Sequence, residues 1–128
     1  MEKNIIATIK SKYTPGEEVA NYTTHIIGGV FSIIVCCIFL CKGYSKGSTL
    51  AIVSLWLYMF GLIFSYATSS IYHAYPAHRT RGKALIRKLD HVAIYWHIAG
   101  CYSPVTLIAL LEGGAAMWGW IIFAFVWL

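Results

Sequence analysis

The chain has 128 residues, of which 59% are hydrophobic and 12% are charged, and its formal net charge is +5. Because a typical globular domain has about 45–50% apolar and about 25% charged residues, this composition excludes an ordinary soluble domain and predicts an integral membrane protein. The basic residues lie between apolar blocks, where they indicate membrane topology rather than a nucleic-acid partner.

A helix is predicted to begin within "TPGEEVAN", at the end of a polar N-terminal segment that covers residues 1–20. Thr14 can cap the helix, and Pro15 suits its first turn. Glu17 and Glu18 would lie at the positive end of the helix dipole.

Three apolar blocks follow, over about residues 22–41, 50–73 and 90–111. Each is long enough to cross the hydrocarbon core as a helix, for which about 20 residues are needed. A fourth block, 115–128, is shorter and still apolar at the last residue, as in a sequence cut off inside a helix. We therefore predict an all-α membrane bundle in a lipid bilayer, with three full spans and a partial fourth.

The basic residues predict the orientation of the chain. Segments 1–20 and 74–89 lie on the same side of the membrane if the spans are as predicted, and together they hold eight of the ten lysines and arginines. The positive-inside rule then places both segments in the cytoplasm. We expect the protein to lie in the cell membrane. The stretch "RGKALIRKL" is interpreted as a topogenic loop or as an amphipathic segment on the membrane surface.

The four cysteines are Cys36, Cys37, Cys41 and Cys101, and all lie within apolar blocks. They form no paired C-x-x-C sets, which argues against a zinc ribbon. We interpret them as small apolar residues that face lipid or neighbouring helices.

One face of the first span carries Asn21, His25, Gly28, Ser32 and Cys36, at steps of three or four residues. The small residues predict a close contact with another helix. Asn21 and His25 would add a polar contact to it.

The second span ends with Tyr66, Ser69, Ser70 and His73 on one face. Ser69 lies one turn from His73, so its hydroxyl could orient a metal-bound histidine or hold a water. The alternative is that His73 belongs to an interfacial aromatic belt with Tyr72 and Tyr75.

The third block opens with Asp90, and His97 lies two turns further along the same face. The predicted topology brings Asp90 to the membrane side where His73 leaves, which suggests a site. The alternative is that Asp90 caps the third helix. Since catalytic zinc generally has three protein ligands, the residues at this level are too few to form a complete zinc site.

The motifs "EEVANYTTHIIGG" (17–29), "SSIYH" (69–73) and "KLDHVAIYWHIAGCYSPV" (88–105) together resemble the hemolysin III family of membrane proteins. That family is related to the progestin and adipoQ receptors, which include the adiponectin receptors, and more distantly to the alkaline ceramidases. The resemblance covers nearly the whole chain.

The resemblance implies a seven-helix protein with a zinc site near the cytoplasmic face. His73 would bind the metal, and Ser69 and Asp90 would hold or orient the water on it. The other two metal histidines belong to an H-x-x-x-H motif on a seventh helix that these 128 residues do not include. We therefore expect zinc in the full-length protein and an incomplete site in this chain.

The resemblance implies two kinds of function. The first is cytolysis by pore formation, or a role in membrane homeostasis, without enzyme activity. The second is zinc-dependent hydrolysis of a lipid amide, or a receptor-like role with a lipid ligand, of which this chain alone would carry an inactive part.

Overall fold

A computed structural model describes residues 13–76 and 78–128 of the chain. The described residues form four helices: α1 (Pro15–Lys46), α2 (Thr49–Ala74), α3 (Thr80–Pro104) and α4 (Ala116–Trp127). α3 continues into a π-helical segment, Val105–Leu110. The predicted all-α membrane bundle is confirmed, since α1, α2 and α3 with its extension are long and apolar enough to cross a membrane, and α4 is a shorter apolar helix.

α1 begins at the predicted cap. The Glu17 amide donates to the Thr14 hydroxyl, the Glu17 carboxylate accepts from the Thr14 amide, and Pro15 occupies the first turn. The helix ends at Gly47, whose φ of 68° is a left-handed conformation that glycine adopts without steric cost. Its 32 residues span about 48 Å at 1.5 Å per residue. Because the hydrocarbon core is only about 30 Å thick, the ends of α1 reach the headgroup region or beyond.

α2 packs antiparallel against α1 along the predicted small-residue face. The Tyr66 side chain packs against Gly28 and Gly29, and a Cβ on Gly28 would lie 3.1 Å from the Tyr66 ring. Cys36 is buried further along that face, whereas Phe31 on the opposite face is 67% exposed. The prediction of a helix–helix contact here is confirmed.

α2 and α3 approach still more closely, at Gly61 and Gly100. A Cβ on Gly61 would lie 2.6 Å from the Trp96 carbonyl oxygen, and a Cβ on Gly100 would lie 3.0 Å from the Leu57 carbonyl oxygen. Glycine at both positions lets the two backbones touch, as small residues do between membrane helices.

α3 begins at Thr80, ten residues before the apolar block that predicted it. The basic stretch that we interpreted as a loop or surface segment is instead the start of the helix, since Lys, Arg, Leu and Ala are strong helix formers. Pro104 precedes the π-helical segment, consistent with the loss of one backbone donor at proline. α4 turns back onto this region, where the Trp127 indole donates to the Ser103 hydroxyl at 3.0 Å.

Candidate functional site

Three charged or titratable side chains meet where the start of α1, the end of α2 and the start of α3 come together. The Glu18 carboxylate accepts from His73 Nδ1 at 2.6 Å through one oxygen and from Lys83 Nζ at 2.8 Å through the other. We call Glu18, His73 and Lys83 the polar cluster. It links three helices that are far apart in sequence.

The polar cluster is only partly accessible to solvent. The Lys83 side chain is 5% exposed, that of His73 is 9% exposed, and that of Glu18 is 21% exposed. Lys83 has two further partners, because its ammonium also donates to the Tyr75 carbonyl at 3.3 Å and lies 5.2 Å from the centre of the Tyr72 ring. A buried ammonium needs such partners to offset the loss of water.

The energetic role of the polar cluster is one of mutual dependence. A buried ion pair contributes little net stability compared with apolar packing, but removing one partner leaves an uncompensated charge. Each member therefore offsets part of the free-energy cost of burying the others. The arrangement fixes the relative positions of the three helix ends.

Aromatic rings surround His73 on several sides. Tyr72 and Tyr13 lie edge-on to its ring, with centroids 4.8 Å and 5.4 Å away. His25 stacks on it from α1, with a centroid distance of 6.1 Å, and the His25 Nδ1 atom lies 2.7 Å from the Asn21 carbonyl. The described hydrogen bond of His25 stays within α1, so its contact with His73 is a ring contact, and the polar contact predicted for Asn21 and His25 with another helix stays a prediction. Tyr72 lies beside His73, as the aromatic-belt alternative predicts, and the interfacial position of His73 remains a prediction.

Two of the predicted site residues lie on neighbouring turns of α2. Ser69 is buried one turn before His73, as the spacing predicted. Asp90 lies three turns inside α3, with its side chain 19% exposed and one carboxylate oxygen 4.0 Å from His91 Nδ1. The capping alternative for Asp90 is wrong, because α3 begins at Thr80. The carboxylate that binds His73 is Glu18, and the water-holding roles of Ser69 and Asp90 remain predictions.

The donor set fits one ligand position of a zinc site. An ionised carboxylate only accepts hydrogen bonds, so His73 must donate through Nδ1 to Glu18, and a neutral ring then carries its lone pair on Nε2. Metal-binding histidines usually have this arrangement, with the second ring nitrogen bound to a carboxylate. Within residues 13–76 and 78–128, no group of three or more His, Cys, Asp or Glu side chains is placed to hold a metal. Within the described residues, His73 with Glu18 therefore has the arrangement of one metal-binding histidine, and its metal role remains a prediction.

Sequence reasoning missed Glu18 and Lys83 as members of the site. The sequence placed Glu18 at the helix dipole and in the motif at 17–29, and Lys83 in a topogenic or amphipathic segment, with no site role for either. The predicted topology could have indicated this cluster. It put the start of the first span, the end of the second span and the following basic segment on one side of the membrane. An acid, a histidine and a base at matching levels of adjacent helices are natural partners.

Comparison with known proteins shows the family of the chain. A family model described as "Haemolysin-III related" matches residues 13–128. The chain belongs to the hemolysin III family. It is 34% identical to "Hemolysin-3" of Bacillus cereus over 111 residues, which cover 87% of this chain and 48% of that protein. It is also 34% identical to the "Hemolysin-3 homolog" of Bacillus subtilis (strain 168) over 95 residues, which cover 74% of this chain and 44% of that protein.

The chain thus spans about half the length of the curated relatives that it matches. No solved structure matches it. As a member of the hemolysin III family with three candidate membrane spans, it is a multi-pass membrane protein.

Proposed function

We propose that the protein acts on lipid bilayers as a hemolysin III-type cytolytic protein of the cell membrane, with its N-terminus in the cytoplasm. The observation that carries this proposal is the similarity over most of the chain to proteins named Hemolysin-3 and Hemolysin-3 homolog. Three helices that expose large apolar side chains to their surroundings support a bilayer location.

Release of a trapped dye from lipid vesicles tests the cytolytic proposal. The full chain and a full-length relative are each added to vesicles, with an unrelated three-span membrane protein as the control for insertion alone. Dye release well above that control supports lysis. Release equal to the control for both proteins contradicts it.

A second candidate function is zinc-dependent hydrolysis of a lipid amide by the whole protein. The observation that favours it is the hydrogen bond from His73 to Glu18, which is the support that a metal-binding histidine requires. In this proposal His73 is a ligand through Nε2, and Ser69 and Asp90 position a water. Zinc, when bound, would polarise the amide carbonyl and lower the pKa of water to about 7.

Metal content separates the two candidates. In a full-length relative, substitution to alanine at the position equivalent to His73 should lower the bound zinc severalfold, while the same substitution at the position equivalent to His91, whose side chain is 59% exposed here, should not. Unchanged zinc content after the first substitution contradicts the metal role. Dye release that persists without zinc favours the metal-independent cytolytic function.

A further inference from the structure

The orientation of His73 depends on a residue of another helix. His73 is in the last turn of α2, and its ring contacts include Tyr13, Tyr72 and His25, which restrict where the ring can lie. Ring contacts restrict the plane of an imidazole but do not select which nitrogen carries the proton. The hydrogen bond from Nδ1 to Glu18, at 2.6 Å, does so.

Glu18 is itself held in place by Lys83. The two oxygens of the carboxylate have different partners, so the group cannot turn without losing one of them. Lys83 is fixed in turn by the Tyr75 carbonyl and the Tyr72 ring. The chain of contacts therefore runs from α3 through α1 to the histidine on α2.

We propose that Glu18 is a positioning residue for His73: it holds the proton on Nδ1 and leaves the Nε2 lone pair available to a metal or a proton donor, while Lys83 fixes the Glu18 carboxylate. The use of Nε2 by zinc rests on the proposed function, but the choice of tautomer does not. This assigns a role to an acidic residue that the sequence placed at the helix dipole and in the motif at 17–29, without a role in a site.

The test is the tautomer of His73, read from nitrogen NMR of the full chain in detergent with ¹⁵N-labelled histidine, in weakly alkaline buffer. The His73 signals are assigned by their loss in His73→Asn. In the unmodified chain, we expect a protonated Nδ1 and an unprotonated Nε2. A neutral ring protonated on Nε2, or a ring protonated on both nitrogens, overturns the proposal.

Variants then show whether Glu18 is responsible. Glu18→Leu combined with Lys83→Met removes the acceptor without leaving a buried ammonium unpaired. This double variant should lower the ratio of Nδ1-protonated to Nε2-protonated rings at least about tenfold, which is the factor expected of a hydrogen bond to a charged group. Glu18→Gln keeps an acceptor oxygen and should retain most of the Nδ1-protonated form. Glu17→Leu is the matched control and should leave the ratio unchanged.

An unchanged ratio in the folded double variant overturns the proposal, as does an equal change in Glu17→Leu. If the double variant does not fold, the unmodified chain still tests the proposal, because a ring protonated on Nε2 there contradicts it. The outcome is separable from the proposed function, because this experiment uses the metal-free chain. The expected tautomer together with zinc content that does not depend on His73 would contradict the metal role and leave the positioning role standing.

Discussion

Lys83 carries a charge on a side chain that is 5% exposed, and its contacts explain how this is tolerated. It donates to the Glu18 carboxylate and to the Tyr75 carbonyl. Replacing it with a side chain of similar length and no charge removes both hydrogen bonds and leaves Glu18 with His73 as its remaining polar-cluster partner. Because Glu18 is 21% exposed, water can solvate part of the freed carboxylate.

We therefore expect Lys83→Met to lower the free energy of unfolding by about 1.5 kcal/mol, the lower end of the range for hydrogen bonds to charged groups. The measurement is loss of helical circular dichroism during SDS titration in detergent micelles. Lys88→Met is the control, since Lys88 is exposed and its replacement should change the free energy by less than about 0.5 kcal/mol. Equal effects of the two substitutions would show that Lys83 does not stabilise the bundle.

The sequence correctly predicted the helical spacing of two candidate residues. It placed Ser69 and His73 one turn apart, because helical periodicity alone determines that relation. It could not assign the histidine its carboxylate, since both Glu18 and Asp90 were predicted at the same membrane side. The apolar block also predicted α3 only from residue 90, so the earlier part of that helix, which brings Lys83 to Glu18, was not expected.

At the scale of the helices, glycines determine how closely the helices approach. Gly61 faces the backbone of α3, which cannot move aside, whereas Gly28 faces the Tyr66 ring, which can shift. The sequence predicted the contact at Gly28 from a stripe of small residues. It did not predict the contact at Gly61, because a single glycine in an apolar block does not indicate which neighbouring helix it faces.

We expect Gly61→Ala to destabilise the bundle by about 1–3 kcal/mol, the usual effect of overpacking. Gly28→Ala should cost less because its neighbour is a side chain. Gly16→Ala is the control, since a Cβ there meets no atom within 4 Å. The same SDS titration measures all three. A loss for Gly61→Ala no larger than for Gly16→Ala would mean that α2 and α3 are not in backbone contact there.

At the scale of the whole molecule, the polar cluster lies at the same end of the bundle as the basic residues of segment 78–89, because α1, α2 and α3 run alternately up and down. The positive-inside rule predicts that this end is cytoplasmic. A green fluorescent protein fused after residue 78 should then fluoresce in bacteria, and alkaline phosphatase fused after residue 47 should be active. The opposite pattern at both positions would reverse the proposed orientation.

The most direct test is the energetic coupling between Glu18 and His73, because the polar cluster depends on this contact between α1 and α2. Glu18→Met, His73→Leu and the double variant form a cycle in which the cost to Lys83 cancels. We predict a coupling energy of about 1–3 kcal/mol in SDS titrations. In the matched cycle, in which Glu17→Met takes the place of Glu18→Met, the coupling energy should lie within about 0.5 kcal/mol of zero. Additive effects in the Glu18 cycle would contradict the claim that this carboxylate binds the histidine.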